Sequence, residues 1–183
     1  ECFRHLCSGI IPMLEAIQGQ NIKIGLITNC YFAYNCQTNN EVKASGGPGA
    51  ALQVASSKSA IVVDSRFFGN CAFLGPGAKA TSSSNLYDIF PTGSAIYAPS
   101  RIHIRNCDFR ANAGHIRGSS TSGGVIWFAS GSSGSSVSNC TFIANLDRNS
   151  NGGTGAKQGG PIVLKLGSST QYVNIYGSTF AYN

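Results

Sequence analysis

The sequence predicts an all-β fold, a right-handed parallel β-helix (solenoid) of about five to six coils with variable loops along one edge. The first observation is a motif that occurs five times: a turn residue, Cys or Ser, any residue, Phe, two residues and Asn. Its phenylalanines lie 33 to 42 residues apart, at Phe32, Phe67, Phe109, Phe142 and Phe180. The second observation is a pair of small residues followed by an apolar run, which alternates with the Phe motif. A constant motif at a variable interval is typical of repeats that each form one coil.

Composition supports this fold class. Only 11% of the 183 residues are charged, and 23 are Gly, which suits short strands and tight turns better than a helical bundle. We expect residues 1–183 to form a single β-helix domain, either a segment of a longer array or a filament subunit. Residues 1–20 are either a first coil or a cap, and the repeat register favours a strand there over a one-turn helix.

The strands of each coil follow from apolar alternation. Ile102 and Ile104 alternate with polar neighbours, which predicts an inward and an outward face. The Phe of each motif and the Cys or Ser two residues before it share one face, so both should point inward. Three strands per coil are predicted, and equivalent positions should stack into a Phe ladder of the five motif phenylalanines. An Asn ladder is predicted at the turn, formed by Asn29, Asn106 and Asn139.

Two long segments after the Phe motifs, 71–94 and 146–160, predict loops that leave the same corner of the coil. Loops on a rigid scaffold commonly carry recognition, so we expect any binding at this edge.

The two alternating elements resemble the repeats of the chlamydial polymorphic membrane proteins and of many secreted β-helix proteins. The first element appears as Gly123-Gly124-Val125-Ile126 and Gly159-Gly160-Pro161-Ile162, and the second as Phe-x-x-Asn, for example Phe109 to Asn112. The resemblance covers nearly the whole chain and implies a β-helix. It is not specific for function, since such repeats serve adhesion, passenger domains and extracellular scaffolds.

Seven cysteines in a chain rich in Gly and Ser indicate an oxidising compartment, so an extracellular or cell-surface location is expected. Alignment of the repeats puts Cys7, Cys36 and Cys71 at one position on successive coils, about 4.8 Å apart. A Cys7–Cys36 or a Cys36–Cys71 disulfide is therefore predicted, with buried free thiols as the alternative. Cys30, Cys107 and Cys140 occupy the inward slot where other repeats use Ser, which favours inert core thiols. Pairing of Cys107 with Cys140, and of Cys2 with Cys30, stays open.

Asn139 begins the sole N-x-S/T sequence and is a candidate N-glycosylation site, unless the ladder occupies its amide. No metal or cofactor is expected, because the cysteines form no C-x-x-C pairs and the three histidines are isolated. His103 falls on an outward position and should be solvated.

Catalysis is not expected. Sugar-cleaving β-helices need clustered carboxylates, and this chain has seven acidic residues with no Asp or Glu pair on one strand. Asp64 and Asp108 belong to different coils, and Asp88 lies in the longest loop. The net charge of +6 is scattered, which argues against nucleic acid. No apolar run is long enough to span a bilayer.

The sequence therefore favours a non-enzymatic extracellular structural protein, a β-helical scaffold or filament subunit. Its expected partners are copies of itself or neighbouring repeats stacked end to end. A carbohydrate-binding or adhesive module is the alternative, favoured if exposed aromatics share a face, namely Tyr87 with Phe90, or Tyr97 with Trp127. A polysaccharide lyase or hydrolase is the second alternative.

Overall fold

The computed structural model describes residues 24–39, 51–55, 58–74, 93–116, 124–149, 160–164 and 166–183. These residues form short strands and one 3₁₀ helix, Ser130–Ser132. In chain order the strands are β1 (Ile24–Thr28), β2 (Tyr31–Ala33), β3 (Cys36–Asn39), β4 (Leu52–Gln53), β5 (Ser59–Val63), β6 (Arg66–Phe68), β7 (Cys71–Leu74), β8 (Gly93–Ala98), β9 (Ile102–Arg105), β10 (Asp108–Arg110), β11 (Ala113–Ile116), β12 (Gly124–Phe128), β13 (Ser135–Ser138), β14 (Thr141–Ile143), β15 (Leu146–Asn149), β16 (Ile162–Leu164), β17 (Val173–Tyr176) and β18 (Thr179–Ala181).

The strands belong to four parallel sheets, and each sheet takes at most one strand from each repeat. Sheet A has the order β1-β5-β9-β13-β17, and sheet B the order β2-β6-β10-β14-β18. Sheet C has the order β3-β7-β11-β15, and sheet D the order β4-β8-β12-β16. We call the strands of one repeat a rung. All-β rungs that stack in parallel and in register are consistent with a parallel β-helix.

Sheet C is a fourth strand position, so the prediction of three strands per coil was wrong. Its strands occupy the start of segments that the sequence assigned to loops, with β7 at Cys71–Leu74 and β15 at Leu146–Asn149. They share no motif. Backbone hydrogen bonds from the preceding turn hold them in register, as when Ala113 N donates to Asn70 O at 2.9 Å. Residues 1–20, 75–92 and 150–159, with the predictions made for them, lie outside the described residues.

The motif phenylalanines form a continuous stack through the core. Phe32, Phe67, Phe109, Phe142 and Phe180 face their neighbours with ring centroids 4.7 to 4.8 Å apart and nearly parallel planes. The three central rings are fully buried. Each sits at the middle of a three-residue strand of sheet B, so the pleat turns it inward and its two neighbours outward. This is the Phe ladder that the motif predicts.

The amide ladder lies at the last position of the motif, not at the turn. Asn35, Asn70, Asn112, Asn145 and Asn183 are linked in series, and each Nδ2 donates to the Oδ1 of the next rung at 2.8 to 3.0 Å. The second Nδ2 proton goes to a backbone carbonyl, as from Asn112 to Phe67 O at 2.9 Å. Each Oδ1 also accepts from the backbone N–H of the preceding Asn. Every hydrogen-bonding group of the central amides is satisfied, which permits their complete burial.

The predicted ladder of Asn29, Asn106 and Asn139 is corrected accordingly. These three residues are exposed and adopt left-handed φ angles of 51° to 54°. Asp64 and Gly177 occupy the same turn position in the other rungs, also at positive φ. Asn, Asp and Gly are the residues that best tolerate this conformation, so the residue types at this position suit the bend. An amide-to-amide ladder cannot pass through Asp and Gly.

A second left-handed residue follows each Phe strand, and in four of the five rungs its type is less suited to the bend than Asn, Asp or Gly. Ala111 and Ala144 have φ angles of 52° and 51°. Left-handed alanine costs about 1–2 kcal/mol. The next residue in each case is a ladder asparagine, whose hydrogen bonds hold the turn in place.

We predict that Asn112→Ala lowers the free energy of unfolding by about 2–4 kcal/mol, because it orphans buried donors and acceptors on Asn70, Asn145 and Phe67. Asn174→Ala, which removes an exposed amide from β17, should change it by less than about 0.5 kcal/mol. Urea unfolding followed by circular dichroism measures both. Equal losses in the two variants would contradict a structural amide ladder.

Candidate functional site

A groove of about 610 Å³ crosses the outer face of sheet B over rungs one to three. It is lined by Asn29, Cys30, Tyr31, Asp64, Arg66, Phe67, Phe68, Asp108 and Arg110. Its volume falls in the range of small-molecule sites, and its lining mixes aromatic, cationic and carboxylate groups. It is the candidate functional site of this chain.

The groove exists because each Phe strand has only three residues. With Phe turned inward, the first and third residues of β2, β6 and β10 point outward in two rows. The register aligns Tyr31, Arg66 and Asp108 in the first row, on successive rungs. It aligns Ala33, Phe68 and Arg110 in the second row. The left-handed turns before the strands place Asn29 and Asp64 along one edge of the groove.

Two polar contacts fix the carboxylates. Arg110 Nε lies 2.9 and 2.7 Å from the two oxygens of Asp108, an ion pair within one strand. Asn106 Nδ2 donates to Asp64 Oδ1 at 3.1 Å across adjacent rungs. The side chain of Arg66 is exposed and makes no hydrogen bond or ion pair with any residue that the structure describes. The groove therefore holds two oriented carboxylates, one paired arginine and one free guanidinium.

Aromatic side chains border the groove on the first rung. Tyr31 is 64% exposed beside Arg66, and Tyr34 is 70% exposed. The Tyr34 and Phe68 rings meet edge to face with centroids 5.4 Å apart. Gly69 leaves room for the Tyr34 ring, since a Cβ at Gly69 would lie 3.0 Å from that ring. The φ of Gly69, +61°, also suits glycine.

The aromatics proposed from the sequence do not provide this surface. Tyr97 and Trp127 are register partners on β8 and β12, so they share a face as the alternative required. Trp127, however, is only 4% exposed, because β12 is buried along its whole length, and the pair cannot serve as a platform. Tyr87 and Phe90 lie outside the described residues.

The cysteines divide into two classes. Cys71 is disulfide-bonded, and its Cα stands opposite that of Cys36 in the register of β3 and β7. The side chains of Cys2, Cys7 and Cys36 lie outside the described part of the chain, so the connectivity stays a prediction. Cys30, Cys107 and Cys140 are free thiols, and the pairings of Cys107 with Cys140 and of Cys2 with Cys30 are not formed.

The free thiols make the same local contact as the serines that replace them in other motifs. The Cys or Ser of each motif donates to the carbonyl two residues earlier, as from Cys107 Sγ to Arg105 O at 3.2 Å and from Ser65 Oγ to Val63 O at 2.8 Å. The remaining members of the row are Cys30, Cys140 and Ser178. Both Cys and Ser make this contact, which explains why the two residue types interchange at this position.

Two further predictions concern polar residues. Asn139 is exposed and its amide is not part of the ladder, so the conflict with N-glycosylation does not arise, and glycosylation there stays a prediction. His103 points outward but is half-buried, with Nδ1 2.9 Å from Ser136 Oγ. Partial burial and then the charge of Arg101 lower the pKa of His103, so it is not simply solvated.

The described residues contain neither a metal-binding cluster nor a membrane-spanning helix. No three His, Cys, Asp or Glu side chains come together there in a group that could hold a metal ion. No helix in that part of the chain is long and apolar enough to cross a membrane.

Sequence reasoning missed the groove because its outer rows coincide with variable motif positions. From the sequence, Asp64 and Asp108 stand out only as candidate catalytic acids. Tyr31, Arg66 and Arg110 do not stand out as site residues. The available signal was the spacing: Tyr31, Arg66 and Asp108 each stand one residue before the motif Phe, so a Phe ladder implies that they form an outer row.

The chain matches no protein-family model, no curated protein and no solved structure.

We predict that the free energy of unfolding falls as the pH rises above about 8.5–9. The adjacent Cys140 side chain, and then burial, raise the pKa of the Cys107 thiol, and the same contact with Cys107 lowers the pKa of Cys140. The pair therefore releases its first proton from Cys140 and retains the second on Cys107. The folded protein thus keeps a proton that the unfolded chain releases near its ordinary pKa of about 8.5. The stabilisation contributed by the proton on Cys107 is complete below that pH and is lost above it, by up to about 1.4 kcal/mol per pH unit.

The double variant Cys107→Ser/Cys140→Ser supplies the matched control, because it removes both thiols of the pair, and Ser65 and Ser178 occupy the same slot in other rungs. Urea unfolding between pH 7 and 10 should give a shallower decline for this variant than for the unaltered protein. Parallel profiles would contradict a proton held by Cys107.

Proposed function

We propose that this chain is a non-enzymatic extracellular structural protein, a right-handed parallel β-helix of about five to six coils that acts as a scaffold or filament subunit. The observation that carries the proposal is the unbroken succession of inter-rung contacts. Sheets A and B each run through five rungs, and the Phe stack and the Asn ladder run through the same five. An array whose repeated residues contact the neighbouring rungs is suited to mechanical support and display.

An extracellular location is supported by the disulfide at Cys71, since stable disulfides persist in oxidising compartments. The buried motif thiols fit the same setting, because Cys107 and Cys140 are at most 2% exposed and are shielded from exchange.

End-to-end partners, either copies of the chain or neighbouring repeats, are supported by the fifth rung. There Ile175 and Phe180 are 42% and 47% exposed, although their equivalents on inner rungs are buried. They border a shallow groove of about 470 Å³ with Pro161, Ile162 and Tyr182. A further Phe-bearing rung would extend both ladders across this face.

The alternative, a carbohydrate-binding or adhesive module, is supported by the groove on sheet B. The enzymatic alternative has weaker support, because Asp108 is ion-paired on its own strand and Asp64 is hydrogen-bonded to Asn106. Neither contact suggests a pair of carboxylates facing one bond.

Electron microscopy with a turnover assay tests the proposal. We expect fibres with an axial repeat of about 30 Å, from six rungs spaced about 4.8 Å apart, and no chain cleavage of polygalacturonate or alginate. Phe180→Asp should shorten the fibres, whereas Tyr176→Asp, on an outward position of the same rung, should not. Discrete short rods would contradict end-to-end stacking. Turnover that is lost in Asp64→Asn or Asp108→Asn would contradict a non-enzymatic role.

A further inference from the structure

Arg66 is the feature of the groove that the scaffold does not explain. It stands at the centre of the first outer row, between Tyr31 and Asp108 on adjacent rungs. Asp108 is held by Arg110, so Arg66 presents its guanidinium to solvent within a concave surface. A guanidinium offers five N–H donors in a planar fork that matches a carboxylate.

The surrounding groups restrict the kind of anion. The lining holds two arginines and two aspartates, so the local charge is balanced. A nucleic acid backbone presents phosphate oxygens, which only accept hydrogen bonds, to Asp64 and Asp108, and this argues against a nucleic acid. A ligand that combines carboxylates with many hydroxyl groups fits, because one carboxylate can reach Arg66 while hydroxyls meet the aspartates and the other carboxylates face solvent.

The aspartates and Asn29 offer acceptor oxygens to hydrogen-bond donors of a ligand. Asp64 uses Oδ1 to accept from Asn106, and the two carboxylates together offer several remaining lone pairs. Hydroxyl groups supply such donors. Tyr31, with most of its ring exposed at the end of the row, offers a flat apolar surface to the C–H face of a sugar ring.

A peptide fits less well. Strand β6 is paired on both sides, with β2 and with β10, so the groove floor offers no open strand edge for an added peptide strand. An acidic peptide would also bring carbonyl and carboxylate acceptors to Asp64 and Asp108.

We propose that the groove on rungs one to three binds a carboxylate-bearing saccharide, a uronate chain, with its carboxylate on Arg66, its hydroxyls on Asp64 and Asp108, and one ring against Tyr31. The three positions span two rung intervals, about 10 Å. The chain therefore lies along the direction in which the rungs stack. Binding of this kind is independent of whether the protein forms filaments.

Isothermal titration calorimetry of the whole chain tests the proposal. The probes are tetrasaccharides of mannuronate, guluronate, galacturonate and glucuronate, together with their carboxyl-reduced neutral counterparts and tetraglutamate. We expect at least one uronate oligomer to bind. Its neutral counterpart should bind at least about tenfold more weakly, because the charge-assisted contact is lost. Absence of binding by all four uronates, equal binding by the neutral counterpart, or tighter binding by tetraglutamate would overturn the proposal.

Variants assign the contact to the groove. Arg66→Gln should weaken uronate binding about tenfold and leave the neutral oligomer unchanged. Lys58→Gln removes the same charge from an exposed position outside the groove and should have no effect. Tyr31→Ala should weaken both oligomers, whereas Tyr176→Ala, on the fifth rung, should weaken neither. Circular dichroism and the midpoint of urea unfolding verify that each variant is folded. If Arg66→Gln and Lys58→Gln bind alike, Arg66 is not the carboxylate site.

Discussion

The buried amide ladder is the interaction on which the rest of this structure depends. Each central ladder asparagine satisfies its own side chain by bonding to the asparagine of the next rung and to the carbonyl of the motif Phe on the preceding rung. A shift of one residue between rungs would turn the amides out of the core and leave their partners unpaired. The ladder therefore sets the register, and the register stacks the Phe rings, the Cys and Ser slots and the two left-handed turns.

A rigid interior leaves the outer face free to vary. In the three-residue strands of sheet B only the middle side chain points into the core, so the residues at the first and third positions can vary. On rungs one to three these positions hold Tyr31, Arg66, Asp108, Phe68 and Arg110, which form the groove. On rungs four and five the first position is Thr141 and then Thr179, and no comparable charge is present there. Repetition inside and variation outside thus allow one stretch of a scaffold to bind while the remainder supports it.

Much of this fold could be predicted from the sequence, and the errors have physical causes. The Phe stack followed from the motif, because a large apolar residue at the same position of every repeat is expected to be buried in the core at equivalent positions of successive rungs. The amide ladder was misplaced, since Asn106 was judged by residue type alone. Substitution of the turn position by Asp64 and Gly177 excludes a ladder, whereas Asn recurs in all five copies of the final position, as at Asn112. Sheet C was missed because its strands carry no shared pattern and are aligned by the backbone. The groove was missed because neighbours on adjacent rungs are far apart in sequence.

The most direct test of this account is hydrogen exchange of the asparagine side-chain amides, followed by NMR on the ¹⁵N-labelled protein. The Nδ2 protons of Asn70, Asn112 and Asn145 are buried and doubly bonded, so they should exchange only through large-scale unfolding. Those of Asn139 and Asn174 are exposed and should exchange at rates near those of a free peptide. Comparable rates in the two groups would show that no amide ladder holds the rungs in register, and the account would fail at its centre.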